Sequence, residues 1–228
     1  MKLLLLSNTQ GRLIKTILDN PTFRNHTVGL ITSKACGAEE YVGNIDKITY
    51  ITKSQSNMGI SNEILEFCLH HSVDYIFSIG FTKLLAGDIL SVYKNKIINS
   101  HYSLLPAFIG DFNIKPRDLF DRALLYGSLI TGNTVHLIDS TKDLGKPIIQ
   151  TSFPLNYYSD YIELRHELFI QEVKSILQTF YWIYESRLYI NKEGYPRIIN
   201  AVFTDYAYSP SLDSVELINL ILPNGLKN

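Results

Sequence analysis

Ile98-Asn99-Ser100-His101-Tyr102-Ser103-Leu104-Leu105-Pro106 closes an apolar run with an amide and an imidazole two residues apart, and a proline ends the turn that follows. Upstream of it, apolar segments alternate with helix-like ones: Lys2 to Ser7 then Leu13 to Leu18, His26 to Thr32 then a short polar helix, Lys47 to Lys53 then Asn62 to His71, Asp74 to Gly80, and Lys96 to His101. Continuous apolar strands joined by crossover helices build a parallel sheet covered on both faces. The predicted fold class is therefore α/β, a doubly wound, mostly parallel sheet. In such sheets ligands sit beyond the carboxyl ends of the strands, and Asn99 and His101 fall there.

Downstream, Pro116 to Tyr126 reads as a helix with proline in its first turn, and Asn133 to Ile138 and Pro147 to Phe153 read as two strands. A long helix is expected from about Asp160 to Glu185, where Leu164, Leu168, Val173, Ile176, Leu177 and Phe180 recur at near-helical spacing. That stripe reads as core packing. The remainder carries turn signals and too few apolar residues for a core of its own. The expected organisation is a catalytic domain over 1–187 and a C-terminal extension over 188–228 that packs on the domain or on a dimer partner.

Composition narrows the function classes. With 228 residues, 46% of them hydrophobic, the chain can bury a substantial core. A net charge of -1 argues against broad binding to nucleic acid. The longest apolar runs fall far short of the roughly 20 residues that cross a bilayer, and the apolar start is too brief for a secretory signal. The two cysteines, Cys36 and Cys68, form no CxxC pattern, so neither a disulfide framework nor a metal site is expected. A reducing cytoplasm fits. The stretch after the first strand, Ser7 to Leu13, has no G-x-G-x-x-G, which argues against a dehydrogenase.

Four polar residues gather at the expected ligand edge: Asn99, His101, the loop acid Asp143, and His136 in Thr134-Val135-His136. Acyl transfer to an amine needs a donor for the developing oxyanion, a group titrating near neutrality, and a carboxylate to orient or charge that group. Asn, His and Asp can fill those roles. Singly each has a plainer reading: a histidine near a strand end is more often structural, and an aspartate before glycine is more often a turn former.

Together these residues carry a resemblance. Asn99-x-His101-x-Ser103-Leu104-Leu105-Pro106, then Thr134-Val135-His136, then Asp143-x-Gly145-x-Pro147-Ile148-Ile149 resembles the formyltransferase family, whose pattern reads N-x-H-P-S-L-L-P, T-V-H and D-x-G-P-I-I. The resemblance covers about residues 1 to 190 and implies the Rossmann-like formyltransferase fold. It implies transfer of a formyl group from N10-formyltetrahydrofolate, as co-substrate and without a metal, to a primary amine. Asn99 would polarise the formyl oxygen. His101 would stabilise the tetrahedral intermediate and help move its proton. Asp143 would keep His101 charged or accept the amine proton through water, with His136 in a supporting place. Ile79-Gly80-Phe81-Thr82-Lys83-Leu84-Leu85 looks like the family's A-G-F-x-R-I-L segment, which makes Phe81, Leu84 and Leu85, with Ser140, Thr141 and Lys142, the folate-side residues. Two departures stand out: Tyr102 replaces the family's proline, and Lys146 is inserted before Pro147.

The acceptor amine is the open point. The purine-pathway members, the phosphoribosylglycinamide formyltransferases, hold phosphate on a loop reading S-G-N-G-S-N, where backbone N–H groups can cradle an anion. This chain has Ser7-Asn8-Thr9-Gln10-Gly11-Arg12 there, and a longer aromatic and charged stretch, Asp111 to Asp118, near the site. Tyr206-Ala207-Tyr208-Ser209-Pro210-Ser211-Leu212 resembles the ending of the small sugar N-formyltransferases. The expected acceptor is therefore a nucleotide-linked amino sugar, dTDP-4-amino-4,6-dideoxyglucose, for O-antigen synthesis. Asn8, Gln10, Arg12, Ser103, Lys115, Arg117, Tyr206 and Tyr208 are its expected contacts, in a cytoplasmic homodimer that binds neither nucleic acid nor membrane. Phosphoribosylglycinamide is the alternative acceptor, and a non-catalytic nucleotide-binding module a remote one. The chain's length and charge do not match the methionyl-tRNA members, and a first strand at residue 2 does not match the hydrolases' extra leading domain.

Overall fold

A computed structural model describes residues 1–108, 116–139, 145–155, 161–204 and 207–213. The chain forms two compact units, Met1–Asn99 with Leu137–Thr141, and Ser100–His136 with Lys142–Asn228.

The first unit alternates strands and helices. Its elements are β1 (Leu3–Leu6), α1 (Arg12–Leu18), α2 (Pro21–His26), β2 (Thr27–Thr32), α3 (Ala38–Gly43), β3 (Ile48–Ile51), α4 (Asn57–His71), β4 (Tyr75–Ser78), α5 (Asp88–Val92) and the first residues of β5 (Ile97–His101). Every strand pairing within it is parallel, in the order β5-β4-β1-β2-β3. β1 is central, and its four leucines are completely buried. A strand covered on both faces has no use for polar alternation, which is why Leu3-Leu4-Leu5-Leu6 reads as an unbroken apolar run. The predicted doubly wound, mostly parallel α/β class is the fold observed.

α4 starts at Asn57, earlier than the expected Asn62, because the Ser56 hydroxyl caps it and accepts from Gly59 N at 3.0 Å. Its buried residues Ile60, Ile64 and Cys68 stand four apart and face Leu4, Leu6, Ile31 and Ile76. Burial pushes the Cys68 thiol up to about 12, so this cysteine is a packing residue. Two short helices were not foreseen. α2 is set by Pro21 in its first turn and by Asn20, whose side chain accepts from Phe23 N at 2.8 Å. α5 is a five-residue turn of helix, below the length at which periodicity shows.

The second unit contains α6 (Pro116–Leu125), β6 (Ile130–Leu137, of which Leu137 belongs to the first unit), β7 (Pro147–Pro154), α7 (Tyr161–Tyr184), β8 (Leu188–Ile190), β9 (Pro196–Ile198) and β10 (Tyr208–Ser209). β6 and β7 pair antiparallel from Ile130↔Pro154 to His136↔Pro147, and β10 adds to the far side of β7. Leu164 and Leu168 of α7 pack with Phe120, Ala123, Phe153 and Leu155. The described residues after 187 lie in this unit. Besides β10, Asp213 holds them to α7: its carboxylate accepts from Trp182 Nε1 at 2.8 Å, Gln178 Nε2 at 2.9 Å and Arg187 Nη1 at 2.6 Å. Among the described residues no helix is long and apolar enough to cross a membrane.

Gly132 on β6 has no room for a side chain, since a Cβ there would collide with the Thr151 carbonyl of β7. Gly132→Ala is expected to destabilise the protein by about 2 kcal/mol, in the range of overpacked positions. Urea unfolding would show this as a lower midpoint at unchanged slope; an unchanged midpoint would mean that β6 and β7 can part without cost.

Candidate active site

Within the first unit, the carboxyl ends of β1, β4 and β5 bring the expected residues to one edge of the sheet. β4 and β5 run in parallel with Ser78 beside Asn99, so the half-buried Asn99 lies next to the strand that leads into Phe81. Phe81 and Leu85 are half-buried, packed on the core by part of their surface, and Leu84 is half-buried beside them. A loop of partly exposed apolar side chains next to an amide suits a flat heteroaromatic ring with one polar end.

The loop after β1 is held together by its own side chains. Asn8 Oδ1 accepts from Ser33 N at 2.8 Å and from Ser33 Oγ at 3.2 Å, and Asn8 Nδ2 donates to Thr82 Oγ1 at 3.0 Å. Gly80 O accepts from Asn8 N at 3.1 Å. The Asn8 amide thus ties the ends of β1 and β2 to the loop after β4. Gly11, with φ of 88°, precedes α1 and lies so close to α3 that a Cβ would stand 3.0 Å from Ala38 Cα. Gln10 and Arg12 are exposed beside it.

In the second unit, His101 ends β5 and is half-buried. Residues 99 and 101 are alternate positions of one strand, so Asn99 and His101 share a face. The segment after His101 is pinned to β6 and β7. Thr134 Oγ1 donates to Ser103 O at 2.7 Å and accepts from Leu105 N at 3.0 Å, while Gln150 Nε2 donates to Leu105 O at 3.0 Å. Ser103 was expected to meet substrate. It is buried instead, and its hydroxyl donates to Ala107 O at 2.7 Å, making it a turn-closing residue. His136 is buried on β6 opposite Pro147.

Tyr208 was expected as a stacking surface for a base. It is buried and paired with Thr151 of β7, so its ring covers the core. Asp143, Ser140, Thr141, Lys142, Lys115 and Tyr206 lie outside the described residues, as does the side chain of Arg117 in the first turn of α6. The inserted Lys146 places its Nζ 4.8 Å from the centre of the Tyr195 ring in the turn between β8 and β9. Among the described residues no group of three or more His, Cys, Asp or Glu could hold a metal ion.

Glu172 was not foreseen. It sits in the apolar stripe of α7, only 1% exposed. Burial raises its carboxyl to about 7, against hydrogen bonding from Tyr102 and an approach by Ser100 that pull it down. Tyr102 is itself raised well above its ordinary value, first by burial and then by Glu172. Ser100 Oγ falls short of hydrogen-bond geometry, and neither it nor Glu172 Oε2 has a hydrogen-bond partner among the described residues. The one signal in the sequence was an acid inside a helix stripe otherwise set for burial.

The formyl transferase family model matches residues 1–179. The chain belongs to the formyl transferase family. It is 27% identical over 159 residues to a phosphoribosylglycinamide formyltransferase of Mycobacterium tuberculosis (strain ATCC 25618 / H37Rv), covering 68% of this chain and 71% of that one. The fold is similar to that of glycinamide ribonucleotide transformylase 1 from Symbiobacterium toebii, with a TM-score of 0.76, 24% identity and coverage of 88% of this chain and 94% of that one. It is also similar to a formyltetrahydrofolate deformylase from Pseudomonas syringae pv. tomato, with a TM-score of 0.74, 18% identity and coverage of 87% and 66%. The protein is a folate-dependent formyltransferase whose co-substrate is N10-formyltetrahydrofolate.

The buried carboxyl has a thermodynamic signature. Folded, Glu172 keeps its proton up to about pH 7, whereas the unperturbed group titrates at 4.5. As pH rises through that window the unfolded chain releases the proton first, so the contribution to stability is lost, by on the order of 3 kcal/mol, and then levels off. Urea unfolding from pH 4.5 to 8 should show this loss in the parent and not in Glu172→Gln; parallel curves would rule out a buried neutral carboxyl.

Proposed function

We propose that the protein transfers the formyl group of N10-formyltetrahydrofolate to the primary amine of phosphoribosylglycinamide. The observation that carries the chemistry is the placing of Asn99 and His101 on one face of β5, at the carboxyl edge of the parallel sheet. The reading of the acceptor rests on the relatives, such as the Mycobacterium tuberculosis protein, that bear the name phosphoribosylglycinamide formyltransferase.

When bound, the co-substrate supplies a formyl carbon on a nitrogen that can leave. Phe81, Leu84 and Leu85 cover its ring and keep water away. The Asn99 amide donates to the formyl oxygen, and this bond strengthens as the amine attacks and negative charge grows there. The new C–N bond forms on the amine, the C–N10 bond breaks, the amine loses one proton and N10 gains one. The His101 imidazole is the kind of side chain that can assist that movement. By its place in the motif, Asp143 is the carboxylate that would keep His101 charged or accept the amine proton through water, with Ser140, Thr141 and Lys142 on the folate side and His136 in support from β6.

A second reading keeps a nucleotide-linked amino sugar such as dTDP-4-amino-4,6-dideoxyglucose as acceptor, for O-antigen synthesis. The first loop favours it: Asn8 is engaged within the protein, Gly11 is the only glycine between Ser7 and Arg12, and exposed Gln10 and Arg12 take the place of a glycine-rich phosphate cradle. Lys115, Arg117 and Tyr206 would then be its further contacts.

Release of tetrahydrofolate from N10-formyltetrahydrofolate, measured with each acceptor in turn, decides between them. Higher kcat/KM with phosphoribosylglycinamide is expected, and higher kcat/KM with the nucleotide sugar would overturn that acceptor. Asn99→Ala and His101→Ala should each lower kcat at least about a hundredfold while circular dichroism stays unchanged. A near-parent rate in either would remove that residue from the reaction.

A further inference from the structure

The chain departs from the family motif immediately after His101, where Tyr102 stands in place of proline. A proline there fixes φ and stiffens the backbone that carries the imidazole. Tyrosine leaves that backbone freer, and some other restraint has to replace the ring. Ser100 and Tyr102 flank His101 on the opposite face of the chain, and both approach Glu172 of α7. The Tyr102 phenol approaches the Glu172 carboxyl, while the Tyr102 ring packs against the cluster that includes Phe120, Phe153, Leu164 and Leu168. Glu172 is fully buried on a helix anchored along its length by Leu164, Leu168, Val173, Ile176 and Leu177.

We propose that Glu172 is a positioning residue for His101, acting through Tyr102: the buried carboxyl anchors the phenol and thereby fixes the backbone on which the imidazole stands. The inference rests on the reading of His101 as a reacting group. Glu172 can do this only while neutral, since an ionised carboxylate with one unpartnered oxygen would have to draw in water or move. Its raised pKa agrees with that state. Besides each other and Ser100, the groups that bear on the pair are on α7: Arg165, whose charge favours ionised Tyr102, and Tyr161, which disfavours it. His101 is the titratable neighbour on β5.

The test compares Glu172→Ala, Glu172→Gln and Tyr102→Phe with His101→Ala in the full chain. Glu172→Ala and Tyr102→Phe are expected to lower kcat about tenfold to a hundredfold, as misplaced catalytic groups do, with KM for both substrates within about twofold. Glu172→Gln, neutral and of the same shape, should restore most of the rate. Histidine NMR gives a readout without substrate: the His101 ring signal, assigned by its absence in His101→Ala, should shift and broaden in Glu172→Ala and return toward its parent position in Glu172→Gln. If Glu172→Ala fails to fold, Tyr102→Phe carries the comparison. Parent-like kcat in Tyr102→Phe, or a Glu172→Gln rate as low as that of Glu172→Ala, would overturn the proposal. A rise in amine KM at parent kcat would do so too, by making Glu172 a substrate contact. A parent-like rate in His101→Ala would instead defeat the reading of His101, and the unchanged ring signal in Glu172→Ala would separately defeat the positioning.

Discussion

A strand shows alternate residues to opposite faces, and everything of chemical interest in this protein depends on how β5 uses that alternation. Asn99 and His101 lie on one face, while Ser100 and the residue just beyond the strand, Tyr102, turn toward Glu172. A shift of one residue in the pairing of β5 with β4 would exchange the two faces. The register Ile76↔Ile97, Phe77↔Ile98 and Ser78↔Asn99 is therefore a chemical specification as well as a packing one. Ile97 and Ile98 within it are both buried, one toward each face of the sheet.

The parts of this arrangement legible in the sequence are those that rest on local pattern. Leu3 to Leu6, Ile76 to Ser78 and Ile97 to Asn99 read as buried strands because nothing polar interrupts them, and the alternation with helices made a parallel α/β sheet the economical answer. The Asn99 and His101 pair was legible because a strand end is a local feature. The short helices α2 and α5 were not, since five or six residues cannot display a 3.6-residue period, whereas the equally short α3 was expected from the strand and helix alternation. Glu172 was hidden for a different reason. An acid in an apolar helix stripe acquires meaning only when the residue that faces it is known, and Tyr102 is seventy positions away in the chain.

Asn8 and Ser103 show what polar residues near a ligand edge do within the protein itself. Both types are good substrate contacts in the abstract. A loop at a sheet edge also contains backbone groups that need partners, and short amides and hydroxyls are the side chains best suited to supply them. Asn8 satisfies Ser33 N, and Ser103 satisfies Ala107 O. Tyr208 shows the apolar counterpart. Aromatic residues in a tail can stack on a ligand or close the core, and the pairing of Tyr208 with Thr151 commits it to the core. What the loop after β1 leaves exposed is Gln10 and Arg12.

Both departures from the family motif are met inside the second unit by a compensating partner. Tyr102 gives up the stiffness of a proline and gains the Glu172 carboxyl, while Lys146 lengthens the stretch before β7 and rests its ammonium over the Tyr195 ring, which Arg197 also approaches at 5.5 Å. The two compensations differ in strength. A cation over a partly exposed ring contributes modestly and is tuned by solvent, so Lys146 and Tyr195 can vary without consequence for the core. A buried carboxyl tied to a phenol is all or nothing, because removing either partner strands the other in an apolar interior. Exchange of proline for tyrosine after His101 thus brings a hydroxyl to the buried Glu172 carboxyl, which a proline ring could not have supplied.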